Sequence, residues 1–280
     1  MPDHGPDRLE YIAREIRATC VQMAFDGKEG HLSSALSMVD ILIALFHGWL
    51  KVFPEDPKHE DRDRFLLSKG HGCASLYAVL ANLGYFPVQA LAEYNLEGSF
   101  LPNHPCVHAL PLLEASSGSL GHGLGIATGM AYGLRLKGSL SRVVALLGDG
   151  ECNEGSIWES ANFAAAHRLE NVAVIIDNNG IQAVGLNDEL SGNTSMAEKF
   201  RSFGWGAVTV EVNSPKDLQA VLANFPLEPG RPSAFIARTH AGISFMEKEV
   251  LWHYRKPSAE DLRNALDELG AQPIHKGAKP

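Results

Sequence analysis

Two oxygen-bearing side chains are spaced so that they could share one hard cation. Asp149 sits in Gly148-Asp149-Gly150, at the end of the apolar run 142–147 (RVVALL), and Asn179 lies just past the run 171–176 (NVAVII). Apolar runs without polar alternation read as strands buried on both faces, as in parallel sheets. With a helix over residues 154–168 between them they form a βαβ unit, and ligands of such sheets sit beyond the carboxyl ends of the strands. Neighbouring strands lie about 5 Å apart, so the carboxylate and the amide would reach one ion. Mg²⁺ takes few protein oxygens and completes its shell with phosphate oxygens and water. Gly148 and Gly150 let the backbone approach such a ligand, and the N-terminus of the helix starting near Glu154 favours an anion there. Taken singly, Gly-Asp-Gly and Asn-Asn-Gly are ordinary turn sequences. Their placement at both strand ends of one unit points to a cation and a diphosphate.

The rest of the chain must position that unit. Residues 9–25 carry Leu9, Ile12, Ile16 and Val21 at helical spacing and end near Gly27. Residues 37–50 read as a second, buried helix. A short strand over 64–68 runs into Lys69-Gly70-His71-Gly72, and a helix follows over 73–83. Residues 87–111 are irregular and long for a structureless connection, which marks a functional loop. Residues 118–137 open with spaced glycines and continue as a helix of small residues. Further strands are expected over 207–212 and 234–238, with a helix over 215–225 between them. An amphipathic stretch over 261–269 precedes a loose end from about Gly270. The fold class is α/β, a mostly parallel central sheet with helices on both faces, in a single domain spanning the 280 residues.

Composition limits the partners. The chain is 45% hydrophobic and 20% charged with a net charge of −9, which gives it no general attraction for nucleic acid or an anionic membrane. Phosphate recognition must come from local devices. Cys20, Cys73, Cys106 and Cys152 form no C-x-x-C pair, which fits a reduced, cytoplasmic compartment. The polar start, residues 1–10, lacks the pattern of a signal or transit peptide. The apolar stretch 37–53 is broken by Asp40, His47 and Lys51, so it reads as a buried helix rather than a membrane span.

The segment GDGECNEGSIWESANFAAAHRLENVAVIIDNN resembles the thiamine diphosphate signature, GDG and NN separated by a βαβ-length span. Four other segments resemble the transketolase family: GHLSS with His31, SKGHG with His71, LPNHP with His104, and SSGSLGHG over residues 116–123. The resemblance runs from about Leu9 to Lys256 and implies the thiamine diphosphate-binding fold. It implies Asp149 and Asn179 as Mg²⁺ ligands, with the backbone carbonyl of Ile181 as the third; Ca²⁺ or Mn²⁺ are alternatives. It implies diphosphate contacts from Gly150 and His71, thiazolium contacts from Gly118 and Leu120, and sugar-hydroxyl contacts from His31 and His104. His253, in LWHY, resembles a further family histidine near the diphosphate and the substrate. Glu154 resembles a glutamate that links paired cofactor sites across the subunit interface. Several imidazoles suit a polyol substrate, because neutral histidines donate and accept protons near pH 7. The run His104-Pro105-Cys106-Val107-His108 lacks the ligand spacing of a zinc site.

Two departures bear on the substrate. Leu32-Ser33-Ser34 follows His31 where family members often carry Gly or Pro, and His122 stands where many full-length transketolases have Gln. The resemblance also implies a partner. In the family, the glutamate that activates the aminopyrimidine and the basic residues that hold the sugar phosphate belong to a second, pyrimidine-binding module. This chain has no length for one, so a separately encoded C-terminal subunit is expected, with the site at the interface and a two-fold heterotetramer as the assembly. The implied activity is that of the N-terminal subunit of a two-chain transketolase. It would move a two-carbon ketol unit from a ketose phosphate to an aldose. Alternatives are another thiamine diphosphate-dependent ketol or acyl transfer, and a non-catalytic cofactor-binding subunit.

Overall fold

The apolar runs become strands. In the computed structural model, which describes residues 8–192, 194–247 and 249–277, most of the chain falls into alternating strands and helices. The strands are β1 (Arg64–Leu67), β2 (Val143–Gly148), β3 (Val172–Asn178), β4 (Ile181–Gln182), β5 (Gly185–Leu186), β6 (Gly206–Glu211) and β7 (Ser233–Arg238). Five form one all-parallel sheet in the order β1-β2-β3-β7-β6, and β4 pairs with β5 in a small antiparallel hairpin. Along β2, Val144 and Leu146 face one layer while Val143, Ala145 and Leu147 face the other, all without exposure. Ala173 and Ile175 alternate in the same way with Val172, Val174 and Ile176 on β3. Covering both faces is what removes the polar alternation from these runs. Each large aliphatic side chain so buried stabilises the fold by about 1.5–3 kcal/mol.

Helices cover the two faces. One layer begins with α1 (Arg8–Asp26), α2 (Leu32–Leu36), α3 (Val39–Ala44) and α4 (Cys73–Asn82); the other holds α5 (Gly123–Leu136) and α6 (Gly155–Ala166). After the short α7 (Asn187–Ser191), α8 (Met196–Ser202) joins the α5–α6 layer. The first layer is completed by α9 (Pro215–Leu222), α10 (Ala259–Leu269) and α11 (Ile274–Gly277). Ser258 caps α10: its hydroxyl accepts the Asp261 amide and the Asp261 carboxylate accepts the Ser258 amide. Gly270, left-handed at φ 57°, ends it.

Two expectations need correction. Residues 37–50 are not one helix. The helical stretch starts at Leu32, breaks at Met38, and ends in a wide turn over Leu45–Trp49 with Gly48 extended at φ 167°. The break lets Ser37 turn its hydroxyl to Asp177 on β3, at 2.6 Å. Most of residues 32–49, apolar enough to pass for a membrane span, is buried in the core. The end expected to be loose carries α11, whose Ile274 amide donates to Thr19 Oγ1 of α1 at 3.0 Å, while residues 278–280 lie outside the described part.

Candidate active site

Strand register brings Asp149 and Asn179 together. Gly148 pairs with Asp177 across β2 and β3, so the chain leaves both strands at the same height. Asp149 Oδ1 accepts the Gly150 amide and Oδ2 accepts the Gly180 amide, each at 2.8 Å. Asn179 Oδ1 accepts the Ile181 amide at 2.9 Å, and its Nδ2 donates to Ser37 Oγ at 3.2 Å. Gly180 is left-handed at φ 76°, which folds this loop back onto the Asp149 carboxylate. A Cβ on Gly150 would lie 2.8 Å from Gln182 Cγ, so a side chain there would have to displace Gln182.

Charge is concentrated beneath these loops. Asp177 is fully buried and accepts from Ser37 Oγ, Thr239 Oγ1 and Lys69 Nζ; Lys69 is itself only 2% exposed. Glu151, also buried, accepts from Ser68 Oγ, from the Gly121 amide at 2.9 Å and from the Gly148 amide at 3.2 Å. Three buried carboxylates therefore face one buried ammonium. Burial first, and Asp177 second, push the Asp149 carboxyl up to about 7, and burial raises Glu151 as well. A divalent cation against Asp149 would supply the missing positive charge. The described residues contain no cluster of three or more His, Cys, Asp or Glu poised around one ion, so they offer no all-protein metal cage. One carboxylate with amide and carbonyl oxygens fits Mg²⁺ held together with a diphosphate.

A glycine-rich loop stands opposite. A Cβ on Gly70 would lie 2.7 Å from Ser117 Oγ, a buried hydroxyl with no partner among the described residues. A Cβ on Gly118 would come within 3.0 Å of His104 Cδ2. Gly121, left-handed at φ 85°, leaves no room for a side chain beside Ser156 Oγ at 2.5 Å and Glu154 Cβ at 2.8 Å. Leu120 lies half-buried in this loop, and Glu154 is the exposed N-terminal cap position of α6. Bare glycine backbone and an orphaned hydroxyl beside His71 make a cradle that fits a cofactor of this kind.

Four imidazoles from distant parts of the chain meet. The His31 ring centroid lies 5.5 Å from His71, 6.1 Å from His104 and 5.5 Å from His253, and His71 lies 5.5 Å from His253. His31 caps α2 in a left-handed conformation, φ 57°, and its amide donates to the His253 carbonyl at 2.9 Å. Such a backbone is uncommon for a residue with a side chain and concentrates at functional sites. Burial lowers three of the rings. His71, next to Lys69, is pushed down to about 2, His253, near His31 and Lys69, to about 4, and His104 is lowered too. These three imidazoles are neutral at pH 7.

The structure thus brings His31, His71, His104 and His253 into one cluster, and Asp149, Asn179 and Ile181 into one pair of loops. Gly118, Leu120, Gly150 and Glu154 lie on the loops and helix start between them. His122 instead lies exposed in a cavity of about 340 Å³ with Ser117, Gly118 and Ile126. Sequence reasoning passed over Lys69, Asp177, Glu151, Ser37 and Thr239. Lys69 and Asp177 carried a signal: each is a charge at the end of an apolar strand, where burial demands a partner. Ser37 and Thr239 carried none.

Residues 9–276 match the family described as transketolase, thiamine diphosphate binding domain. The chain is 36% identical over 267 residues to an apulose-4-phosphate transketolase subunit of Actinobacillus succinogenes, covering 94% of this chain and 96% of that one. It is 32% identical over 263 residues to a 6-deoxy-6-sulfo-D-fructose transketolase subunit of a Clostridium species, covering 93% and 96%. The crystal structure of transketolase from Campylobacter jejuni superposes with a TM-score of 0.89 at 26% identity, over 96% of this chain and 44% of that longer one. The chain belongs to the transketolase family, and its α/β sheet is that family's thiamine diphosphate-binding fold.

Proposed function

We propose that this chain is the cofactor-binding subunit of a two-chain transketolase, moving a two-carbon ketol unit from a ketose phosphate to an aldose acceptor. The observation that carries the reading is the meeting of four imidazoles beside the buried Lys69 and the Asp149–Asn179 loops. Asp149, Asn179 and the Ile181 carbonyl would hold Mg²⁺, Gly150 and His71 the diphosphate, and Gly118 and Leu120 the thiazolium ring. When bound, thiamine diphosphate supplies the nucleophilic carbon and the electron sink for breaking the carbon–carbon bond. The chain's own work is to orient a polyol and move its protons. His31 and His104 would accept protons from the sugar hydroxyls, including the hydroxyl beside the bond that breaks, and return them, while His253 would hold a sugar oxygen by a hydrogen bond.

A separately encoded subunit with a pyrimidine-binding module would complete the site, and two such pairs would form a two-fold heterotetramer in which Glu154 links the cofactors. The outer face of α5 and α6 supports an interface. Ile126, Leu136 and Phe163 are 37%, 71% and 40% exposed there, and open space surrounds Gly129 and Gly133. The relatives named for apulose 4-phosphate and 6-deoxy-6-sulfo-D-fructose direct the donor search to ketoses with a phosphate or sulfonate at the far end. The free thiols of Cys20, Cys73, Cys106 and Cys152 fit a cytoplasmic home. Purifying the tagged chain from its host and screening the complex with thiamine diphosphate, Mg²⁺ and a panel of ketoses tests the reading. A stoichiometric second chain and ketol transfer are expected; a complex that transfers from no ketose overturns it.

A further inference from the structure

His31 has an acidic neighbour that the family motifs do not supply. Glu29, two residues before it, places Oε1 3.3 Å from His31 Nδ1. The carboxylate is held from behind: its Oε2 accepts Asn95 Nδ2 at 3.1 Å and Asn103 Nδ2 at 3.0 Å. Asn95 is fixed in turn, because the same Nδ2 donates to the Gly27 carbonyl at 3.0 Å. Asn103 then turns its other end, Oδ1, to His104 Nδ1 at 3.3 Å. The glutamate side chain is 15% exposed and that of His31 23%.

Donor and acceptor counting fixes every proton in this chain of groups. A carboxylate only accepts, so the His31 nitrogen facing it carries the hydrogen. Asn103 must present its NH₂ to Glu29, so its carbonyl faces His104 and that Nδ1 carries the hydrogen too. Both Nε2 atoms are left as lone-pair acceptors, the form a proton acceptor needs. The charged and titratable groups around His31 are Glu29, His71, His104, His253 and Tyr254. Glu29 is the one anion among them. We propose that Glu29 is a positioning residue that sets the Nδ1–H tautomer of His31 and, through Asn103, that of His104, so that both rings meet the sugar hydroxyls as bases. The assignment rests on the transketolase reading above for its catalytic consequence, though not for its geometry.

The test is Glu29→Gln. The two asparagine donors would capture the new carbonyl, turning the amide NH₂ toward His31 Nδ1 and forcing the hydrogen onto Nε2. Nitrogen NMR of the ¹⁵N-histidine-labelled chain with Mg²⁺ and thiamine diphosphate reads the tautomers directly. We expect Nδ1–H for His31 and His104 in the wild type, and Nε2–H for His31 in Glu29→Gln. In the assembled enzyme, kcat/KM should fall about 10- to 100-fold, the range found when metal-bound histidines lose the partner that fixes their tautomer, with cofactor affinity unchanged. A wild-type His31 bearing hydrogen on Nε2, or a Glu29→Gln chain with the wild-type tautomer, overturns the assignment. Should Glu29→Gln not fold, Asn103→Ala decides: His104 becomes a tautomer mixture while His31 stays Nδ1–H, and an unchanged His104 overturns the relay. If the wild-type pair transfers no ketol unit, the proposed function falls and the tautomers alone decide the role of Glu29.

Discussion

Replacing Lys69 by Met isolates the electrostatic core of the site. The ammonium is 2% exposed and pairs with a fully buried Asp177, and it also lowers the carboxyls of Asp149 and Glu151. Methionine keeps the aliphatic bulk, so the loss is mainly charge. Removing one partner of a buried ion pair leaves the other uncompensated, at about 3–5 kcal/mol. Ser37 and Thr239 still donate to Asp177, which favours the lower end of that range. For a chain of this size, each kcal/mol shifts Tm by about 2–4 °C, so the fall should be roughly 6–20 °C. The assay is thermal unfolding by circular dichroism for Lys69→Met, Asp177→Asn and the double variant. Neutralising both partners should recover part of the loss, because an asparagine at 177 needs no counter-charge, while Asp149 and Glu151 still lack the ammonium. A single variant that loses less than about 1 kcal/mol would refute the reasoning, as would a double variant no more stable than Lys69→Met.

Asp149→Ala should abolish Mg²⁺-dependent binding of thiamine diphosphate, measured by calorimetry; unchanged affinity removes Asp149 from the metal site. Gly121→Ala forces a Cβ against Ser156 and Glu154 at a left-handed φ of 85° and should cost about 1–3 kcal/mol in unfolding experiments. A wild-type Tm would show that the loop yields freely. Acid should weaken the fold through His71 and His253, whose folded values of about 2 and about 4 lie below the unfolded value of about 6.5. Their neutral forms contribute stability above about pH 6.5 that is lost as pH falls, together about 2–4 kcal/mol between pH 7 and pH 5. His71→Gln should remove about half of that slope, and an unaltered slope would mean His71 is already charged in the fold.

What the sequence made legible was whatever repeats at short range. β2 and β3 could be read because burial on both faces leaves an unbroken apolar run, and α1 because one face of its 3.6-residue period is apolar. The Asp149 and Asn179 loops were legible because a carboxylate and an amide each follow such a strand. Long-range pairing was hidden. The Ser37–Asp177 bond spans 140 positions and breaks a stretch whose composition favours one continuous helix. Lys69 and Asp177 are 108 positions apart, so neither sequence context announces the other. Glu29 follows Lys28 and looks like a solvated turn charge; only folding places it between two asparagines and a histidine. The β4–β5 hairpin, two residues a side, is too short to show any period.

The buried charges also divide labour among the four histidines. Lys69 lies two residues past the end of β1 and two before His71; burial first, and this ammonium after it, disfavour a proton on both His71 and His253. Those two rings have only positive or neutral neighbours among the groups that shift them, so burial and these neighbours both favour their neutral forms. They can orient oxygens by hydrogen bonding but hold no proton for long. Around His104 the balance differs: burial and His31 oppose the charged form, while Glu29 favours it. His31 has the same carboxylate at 3.3 Å. A transient imidazolium therefore finds a counter-charge on the Glu29 side of the cluster and repulsion on the Lys69 side. On the transketolase reading proposed above, proton transfer to and from the sugar would fall to His31 and His104, and His253 and His71 would hold the sugar and the diphosphate by hydrogen bonds. The same ammonium that balances Asp177 beneath the Asp149 and Asn179 loops thus adds to burial in disfavouring a proton on His71 and His253.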